Sequence, residues 1–405
     1  MKYIDSNSPS SRFALMAHTQ DFDLRQLTRE LLQATLGGQY SAHKEDSVLL
    51  LSESWAGYSD EGVSLELQDI PEVLLNWAKL DASQGLDVNE LLVLDVETTG
   101  LGRGNTLSFL IGLGYFEEGN YVVEQILLPE PDAELNSFDR LIELLESHSV
   151  LVTFNGKSFD IPVLESRLLY HRIWLNLAGK DHIDLLHMAR RLWKSTLPSC
   201  ALESLEYYVM GVLRDPELDI DGGMIPQAYN HYLVYGDVEP LLKIVKHNQL
   251  DIIYTMALMV IICDAIRLPM EVGKDPRVDY HAVAKLYLSQ GQTEVAKQIL
   301  REMRELDIAT VESVYDLGQL CKRDRELEEA QQCFEYGAAL LHPPSLLALA
   351  IILEQKRDFE QALRCTEELL RWQQSLPLPD LKTLHEIDKR RIRLQRKISK
   401  SRPEG

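Results

Sequence analysis

The sequence predicts an α/β domain with a mixed sheet covered by helices on both faces, followed by an all-helical repeat domain. Three observations support this prediction. Apolar runs of strand length alternate with segments of helical periodicity from residue 91 to about 265. From about residue 278 onward the pattern is helical throughout. Within that second region, similar stretches recur at intervals of 34 and 32 residues.

Composition and charge restrict the class of protein. The 405 residues exceed one average domain, and 45% hydrophobic with 26% charged residues is ordinary for a soluble globular protein. A net charge of −22 argues against non-specific nucleic-acid contacts over the whole surface, although a local basic track is compatible with it. The first residues contain no apolar core of a signal peptide, and the five cysteines form no CxxC pair. We therefore expect a cytoplasmic protein.

Residues 1–90 carry no motif with a known chemistry. The segment TRELLQATLGGQY predicts a short helix that ends at glycine, and DSVLLLSESW predicts a strand. We expect residues 1–90 to form a small appended lobe, or a cover for the next domain, and assign no function to them.

Residues 91–267 are predicted to form the α/β domain. LLVLDVE is its first strand, and the turn EEGN joins TLSFLIGLGYF to YVVEQILL in a hairpin. The apolar stretch IIYTMALMVIICDAI is shorter than the ~20 residues that span a bilayer, so we predict a buried helix and no membrane contact. The other elements are the helix LNSFDRLIELLESH, the strand SVLVTFN, the helix FDIPVLESRLLYHR, the strand and helix HIDLLHMARRLW, the helix ALESLEYYVMG, and the long helix that begins at DVEPLLKIVKHNQLD.

Residues 278–405 are predicted to form the helical repeats. Small residues recur at two positions, which would let paired helices touch. The period is typical of tetratricopeptide repeats, although the signature tryptophan is missing. The chain after Pro379 predicts a basic amphipathic helix that caps the stack or binds an acidic partner. The small residues are Ala284, Gly318 and Ala350 at the first position and Ala296, Ala330 and Ala362 at the second.

The motif DVETTG places two acids at the end of a buried strand. Residues i and i+2 of a strand face the same side, so the carboxylates of Asp95 and Glu97 should converge at the C-terminal mouth of the strand. Open α/β sheets bind ligands at that edge. A pair of solvated edge residues is the alternative for this motif alone.

Two further motifs add acids. In LVTFNGKSFDIPVL, Asp160 follows a buried strand and lies in the first turn of a helix, where a plain capping role is also possible. In KHNQLDII, His247 and Asp251 are four residues apart and share one helical face. A structural hydrogen bond between those two side chains is the alternative reading.

Together the four acids predict a metal site. Gathered in one cleft, Asp95, Glu97, Asp160 and Asp251 would be strongly repulsive without cations. Oxygen ligands favour Mg²⁺ or Mn²⁺, and two such ions can stabilise both the attacking and the leaving oxygen of phosphodiester hydrolysis. A neutral His247 at the rim could accept a proton from the attacking water.

These motifs resemble the DEDD superfamily of 3′–5′ exonucleases, which have a ribonuclease H-like fold. DVETTGL, FLIGLGYF, VTFNGKSFDIP, HIDLLHMARRLW and HNQLDII are similar to the YprB-like family within it, over about residues 91–265. The resemblance implies that Asp95, Glu97, Asp160 and Asp251 hold two metal ions. It also implies that Asn155 and Phe159 lie along the path of a single strand.

One feature departs from the superfamily pattern. Its histidine subtype has histidine five residues before the last aspartate, where this chain has Lys246, and His247 stands at the spacing of the tyrosine subtype. His247 remains the predicted general base. Lys157 is a candidate phosphate contact or a solvated loop residue, and Arg190 and Arg191 are candidates for the substrate track or for a solvated helix face.

Two functions of different classes follow. The first is a metal-dependent 3′–5′ exonuclease that hydrolyses single-stranded ends in DNA repair or processing, with DNA favoured over RNA. The alternative is a nuclease-like adaptor that binds a protein partner through the helical repeats without catalysis. The two are compatible in part, since the resemblance suggests that the repeats bring the nuclease to a partner such as a helicase.

Overall fold

The computed structural model describes residues 25–41, 47–83, 85–100, 106–267 and 277–401. The chain divides into two compact units, Met1–Arg267 and Leu268–Gly405. The first unit contains a seven-stranded sheet with helices, and the described part of the second contains helices alone. The predicted fold class, an α/β domain followed by an all-helical region, is confirmed.

The sheet is mixed, as predicted. Its strands run in the spatial order β1-β2-β5-β4-β3-β6-β7. The pairs β3–β6 and β6–β7 are parallel, and the other neighbours are antiparallel. The strands are β1 (Gln39–Tyr40), β2 (Leu49–Trp55), β3 (Leu91–Thr98), β4 (Ser108–Glu117), β5 (Asn120–Leu127), β6 (Val150–Thr153) and β7 (Asp181–Asp184).

The predicted hairpin is present between β4 and β5. Glu117 pairs with Asn120, so the loop consists of Glu118 and Gly119, both with positive φ. That backbone conformation matches the right-handed twist of the flanking strands, and glycine adopts it without steric cost.

The N-terminal segment contributes to the same sheet. A small appended lobe, or a cover for the next domain, was predicted for residues 1–90. In the structure, β2 pairs with β5 along all seven of its residues, and β1 pairs with β2. The strand predicted from DSVLLLSESW thus extends the sheet at its antiparallel edge. Residues 1–24, 42–46 and 84 of this segment lie outside the described residues.

Helices cover both faces of the sheet. Leu92, Leu94 and Val96 of β3 share a core with Phe138 and Leu164 of the helices on one face. The alternate residues of β3 face the long final helix of the unit, α8, which contacts β3, β4 and β5. The helices are α1 (25–36), α2 (Glu72–Ala78), α3 (Glu134–Ser147), α4 (Asp160–Tyr170), α5 (Leu185–Trp193), α6 (Leu202–Leu205, continued by a π-helix at Glu206–Met210), α7 (Ile225–Tyr235) and α8 (Glu239–Arg267).

Helix α8 is the core helix of the first unit. By length and composition alone it could cross a membrane, but 78% of its most apolar window is buried inside the protein. Gly112 and Gly114 of β4 allow this close packing, because a side chain at Gly112 would collide with Asn248 of α8 and one at Gly114 would lie 2.6 Å from Ile252. Burial explains the apolar composition of α8 without a membrane.

The second unit repeats a helical pattern. The small residues at the recurring positions, including Ala284 and Ala350, are buried, and a side chain at Gly318 would lie 2.7 Å from the ring of Phe334 on the next helix. Small residues thus permit close helix contacts, as the pattern predicted. The helices are α9 (Tyr280–Ser289), α10 (Thr293–Glu305), α11 (Val311–Arg323), α12 (Leu327–Ala339), α13 (Pro343–Gln355), α14 (Phe359–Ser375) and α15 (Leu381–Ser401).

Candidate active site

Strand β3 presents Asp95 and Glu97 on one face, towards α8. Both side chains are half-buried, while Val96 between them points into the opposite core. The register between β3 and β4 shifts at Glu97 and Thr98, so an irregularity ends the ladder directly after the second acid. Bulges of this kind redirect side chains and terminate pairing beside functional sites.

Helix α4 brings Asp160 to the same place. Asp160 is 4% exposed and is the first residue of the helix. Its Oδ1 accepts a hydrogen bond from the backbone N–H of Val96 at 3.1 Å. Because Val96 lies between Asp95 and Glu97, this bond ties the helix N-terminus to the acidic end of β3.

Helix α8 supplies His247 and Asp251. His247 Nε2 lies 3.5 Å from Asp251 Oδ2, one helical turn further on. One ligand atom each from Glu97, His247 and Asp251 falls within a mutual distance of 4.8 Å. Three elements distant in sequence thus bring together all four predicted acids and the predicted base, here called the acidic cluster: Asp95, Glu97, Asp160, His247 and Asp251.

The concentration of carboxylates in the acidic cluster favours binding of a cation. Burial, followed by the charges of Asp160 and Asp251, raises the pKa of Asp95 well above its usual value. Burial and the same two neighbours raise the pKa of Glu97. Burial raises the pKa of Asp160 to about 7, against the opposing effect of the hydrogen bond from Val96. The donor set is rich in carboxylate oxygens and still partly open to solvent, which suits a hard divalent ion such as Mg²⁺ or Mn²⁺.

Arg214 is a residue of the candidate site that the sequence analysis missed. Its side chain is 8% exposed and forms a bidentate ion pair with Glu206, with Nε–Oε2 at 2.8 Å and Nη2–Oε1 at 2.6 Å. The same Nη2 donates to Asp251 Oδ1, and Nη1 lies 3.6 Å from Asp219 Oδ2. Arg214 therefore binds Oδ1 of Asp251, while His247 lies beside Oδ2 of the same carboxylate.

Asp219, also missed, orients His247. The closest partner of His247 Nδ1 is Asp219 Oδ1 at 2.7 Å, so we assign the proton to Nδ1, with Asp219 as acceptor. Arg214 Nη1 also lies 3.2 Å from Nδ1, and with this tautomer the contact is not a hydrogen bond. Burial lowers the pKa of His247, but the bond to Asp219 and the charge of Asp251 outweigh it, and the net shift is upward. Nε2 is left facing Asp251.

Asn248 is the third missed residue. It is fully buried, and its Nδ2 donates to Asp95 Oδ2 at 2.9 Å. Gln125 of β5 donates in turn to Asn248 Oδ1 at 2.9 Å. Gly112, which pairs with Asp95 across the ladder, leaves the space that Asn248 occupies. This chain of bonds fixes the orientation of the Asp95 carboxylate.

The predicted substrate contacts fall into two groups. Asn155, Lys157 and Phe159 form the turn that precedes Asp160, and Asn155 has a left-handed backbone with φ of 67°. Asp184 accepts the backbone N–H groups of Asn155 and Lys157 at 2.9 and 3.2 Å and also caps α5. Because this turn leads directly into Asp160, the residues Asn155, Lys157 and Phe159 border the acidic cluster.

Arg190 and Arg191 lie elsewhere. Both are in the last turn of α5, so the length of the helix separates them from the turn at Asp184. Among the residues that the structure describes, no hydrogen bond or ion pair joins either arginine to the acidic cluster. The structure therefore does not bring them together with the acids, and a substrate track through them stays a prediction.

Comparison with known proteins identifies the family of this chain. Residues 92–263 match the RNase_H superfamily (RNase_H_2), which agrees with the seven-stranded mixed sheet. The chain is also 30% identical over 369 residues to the uncharacterized protein YprB of Bacillus subtilis (strain 168). That similarity covers 88% of this chain and 87% of YprB. The chain belongs to the YprB family.

Two DNA polymerases share more limited similarity. A DNA polymerase of Methanocaldococcus jannaschii is 31% identical over 93 residues, which cover 18% of this chain and 6% of that protein. The solved structure of the family B DNA polymerase from Pyrobaculum calidifontis aligns with 12% identity and a TM-score of 0.34. That alignment covers 74% of this chain and 39% of the polymerase chain.

Proposed function

We propose that the protein is a metal-dependent 3′–5′ exonuclease of the DEDD type, acting on single-stranded DNA ends in repair or processing. The observation that carries the proposal is the convergence of four carboxylates from β3, α4 and α8. Burial and mutual repulsion raise the pKa values of three of these groups, which makes a purely structural role costly. Similarity to a protein named DNA polymerase supports DNA as the substrate.

The residues of the acidic cluster have distinct roles in this proposal. Asp95, Glu97, Asp160 and Asp251 hold two divalent cations, which would stabilise charge on the attacking and leaving oxygens of the phosphodiester. His247 accepts the proton of the attacking water at Nε2, because Asp219 occupies Nδ1. Asn248 and the Val96 backbone keep the carboxylates of Asp95 and Asp160 in fixed orientations.

A nuclease assay tests the proposal. Purified protein is incubated with single-stranded DNA and RNA carrying a label at either end, with Mg²⁺ or Mn²⁺ and with EDTA. We expect stepwise shortening from the 3′ end that requires the metal ion. Absence of shortening by folded protein on every substrate contradicts the proposal, and removal from the 5′ end contradicts its direction.

Metal binding should stabilise the first unit measurably. At a concentration one hundred times the Kd, a single bound ion adds about 3 kcal/mol, or roughly 5–10 °C in Tm for a domain of this size. Without metal, the charged form of Asp160 is disfavoured, because its pKa is raised to about 7. Stability of the metal-free protein should thus fall as the pH rises towards 7, and the gain from Mn²⁺ should be larger at pH 8 than at pH 5.

Differential scanning calorimetry with Mn²⁺ and with EDTA measures this shift. Ca²⁺ is a useful comparison, since it also prefers oxygen ligands but with larger coordination numbers. An equal Tm with Mn²⁺ and with EDTA at pH 8 argues against a metal site.

The helical unit is proposed to bind a protein partner such as a helicase through tetratricopeptide-like repeats. Support comes from a groove of about 600 Å³ with a mainly apolar lining within this unit. Loss of helicase co-purification in a Trp372→Glu variant tests this part, and unchanged co-purification contradicts it. Residues of the groove include Tyr315, Pro343, Leu347, Ile351, Trp372 and Ile387.

A further inference from the structure

Two large aromatic side chains lie on the surface of a turn that contacts α8, the helix that carries His247 and Asp251. Helix α6 passes into a π-helical turn, Glu206–Met210, that ends at Gly211 with φ of 76°. Within this turn Glu206 is buried, whereas Tyr207 and Tyr208 are 56% and 42% exposed. Their rings pack against each other nearly at right angles, with centroids 4.9 Å apart. π-Helical turns are rare and occur frequently at functional sites.

The buried side of this turn is bonded to the acidic cluster. Glu206 pairs with Arg214, and Arg214 donates to Asp251. A single residue, Arg214, therefore connects Glu206, which precedes Tyr207, with the predicted metal ligand Asp251. The chain then returns to the cluster at Gly222, where an added Cβ would lie 3.9 Å from His247 Nε2.

The chain from this turn to Met224 adds further apolar surface. Leu213, Leu218 and Met224 are all more than half exposed. With Tyr207 and Tyr208 they form what we call the aromatic rim, a set of exposed apolar side chains on one segment that contacts the acidic cluster. Exposed apolar surface of this kind often marks a site of interaction, which makes this segment a candidate for ligand contact.

The chemistry of the neighbourhood selects the ligand. The acidic cluster and its neighbours Glu206 and Asp219 make this region negative, so phosphate groups gain little here from protein side chains alone. The flat faces of nucleobases are uncharged and apolar, and they stack on aromatic rings regardless of sequence. Bases are available for stacking only when they are unpaired.

We propose that Tyr207 and Tyr208 form a stacking site for unpaired bases near the reacting end of the substrate. The proposal rests on the nuclease function and adds a structural basis for selecting single strands over duplexes. The tyrosines act in binding, while the acidic cluster carries out the chemistry.

Binding without cleavage isolates this site. The protein with Asp160→Asn serves as the parent, and oligonucleotides carry 2-aminopurine at successive positions from the 3′ end. Tyr207 and Tyr208 are changed together to leucine, which keeps an apolar side chain but removes stacking, and together to phenylalanine, which keeps stacking. Trp174→Leu is the matched control, because Trp174 is 84% exposed beyond the opposite end of α4 from Asp160.

We expect the double leucine variant to bind single strands roughly tenfold to a hundredfold more weakly, and the double phenylalanine variant to stay within about twofold of the parent. Fluorescence quenching of 2-aminopurine near the 3′ end should be lost with leucine and kept with phenylalanine. The Trp174→Leu control should change neither quantity. Circular dichroism and Tm verify that each variant is folded.

Unchanged affinity and quenching in the double leucine variant overturn the stacking site. Equal loss in the leucine and phenylalanine variants also overturns it, since hydroxyl contacts rather than stacking would then account for binding. The nuclease proposal fails separately. If the unsubstituted protein cleaves DNA but binding is independent of the tyrosines, only the stacking site is excluded. If binding depends on them but cleavage is absent, only the exonuclease assignment is excluded.

Discussion

Asp160→Asn is expected to lower the rate of nucleic-acid hydrolysis roughly a thousandfold, because several kcal/mol of transition-state stabilisation should be lost. Asparagine retains an oxygen that can accept the hydrogen bond from Val96, so the contact between α4 and β3 should survive. It removes the negative charge that a divalent ion needs. The substitution therefore separates the proposed metal-binding role from the structural role.

Single-turnover cleavage of a labelled oligonucleotide and the Tm of the metal-free protein are measured together. The Tm should remain close to that of the unsubstituted protein or rise, because a buried charge is removed. Asp181→Asn is the matched control, since Asp181 is an exposed aspartate at the start of β7. Retention of activity in Asp160→Asn, with normal metal dependence, would contradict the role of Asp160 as a ligand.

Local periodicity was sufficient to predict the main parts of the acidic cluster. Asp95 and Glu97 share a face because strand side chains alternate, and His247 and Asp251 share one because helical neighbours are four residues apart. Asp160 was placed by its position after a buried strand and in the first turn of a helix. Each inference depends on a few consecutive residues, which a single sequence states directly.

The partners of these residues could not be predicted in the same way. Arg214 meets Glu206 and Asp251, which are 8 and 37 residues away, and its segment has no regular periodicity. One signal was present in GVLRDPELD, where a single arginine is surrounded by acids, but exposed loops commonly have that composition. Arg214 differs from an arginine in an exposed loop because it is buried, and its burial depends on the tertiary packing of α8.

The N-terminal segment shows the same limit. The strand character of DSVLLLSESW was evident, yet its partner β5 lies about 70 residues further along the chain. Strand pairing over such a distance depends on which edge of the sheet is free, and the sequence of neither strand specifies that. A strand without an identified partner was therefore interpreted as part of an appended lobe or of a cover for the next domain.

Replacing Arg214 by glutamine should have the second large effect. The buried carboxylate of Glu206 would lose both hydrogen bonds of its bidentate ion pair. Removing one partner of a buried ion pair lowers the stability by about 3–5 kcal/mol. Burial already raises the pKa of Glu206, and Arg214 opposes that shift. Without Arg214 the pKa of Glu206 should rise further, so the loss of stability should be smaller at pH 5, where protonation of Glu206 is more favourable, than at pH 8.

Urea unfolding at the two pH values measures the loss, and Arg214→Lys provides the comparison. Lysine keeps the charge but lacks the planar fork that binds Glu206 and Asp251 at once, so we expect an intermediate loss. A loss that is the same at pH 5 and pH 8 would show that Glu206 is not the group left uncompensated.

The double variant Glu206→Gln with Arg214→Gln distinguishes an effect of Arg214 on stability from an effect on catalysis. If Arg214 chiefly neutralises Glu206, removal of both charges should restore much of the stability, and the two substitutions should be strongly non-additive. Activity should stay low even then, because Asp251 still lacks the donor that orients its Oδ1. Recovery of stability without recovery of cleavage would identify Arg214 as a positioning residue for Asp251, whereas recovery of both would confine its role to folding of the segment that carries the aromatic rim.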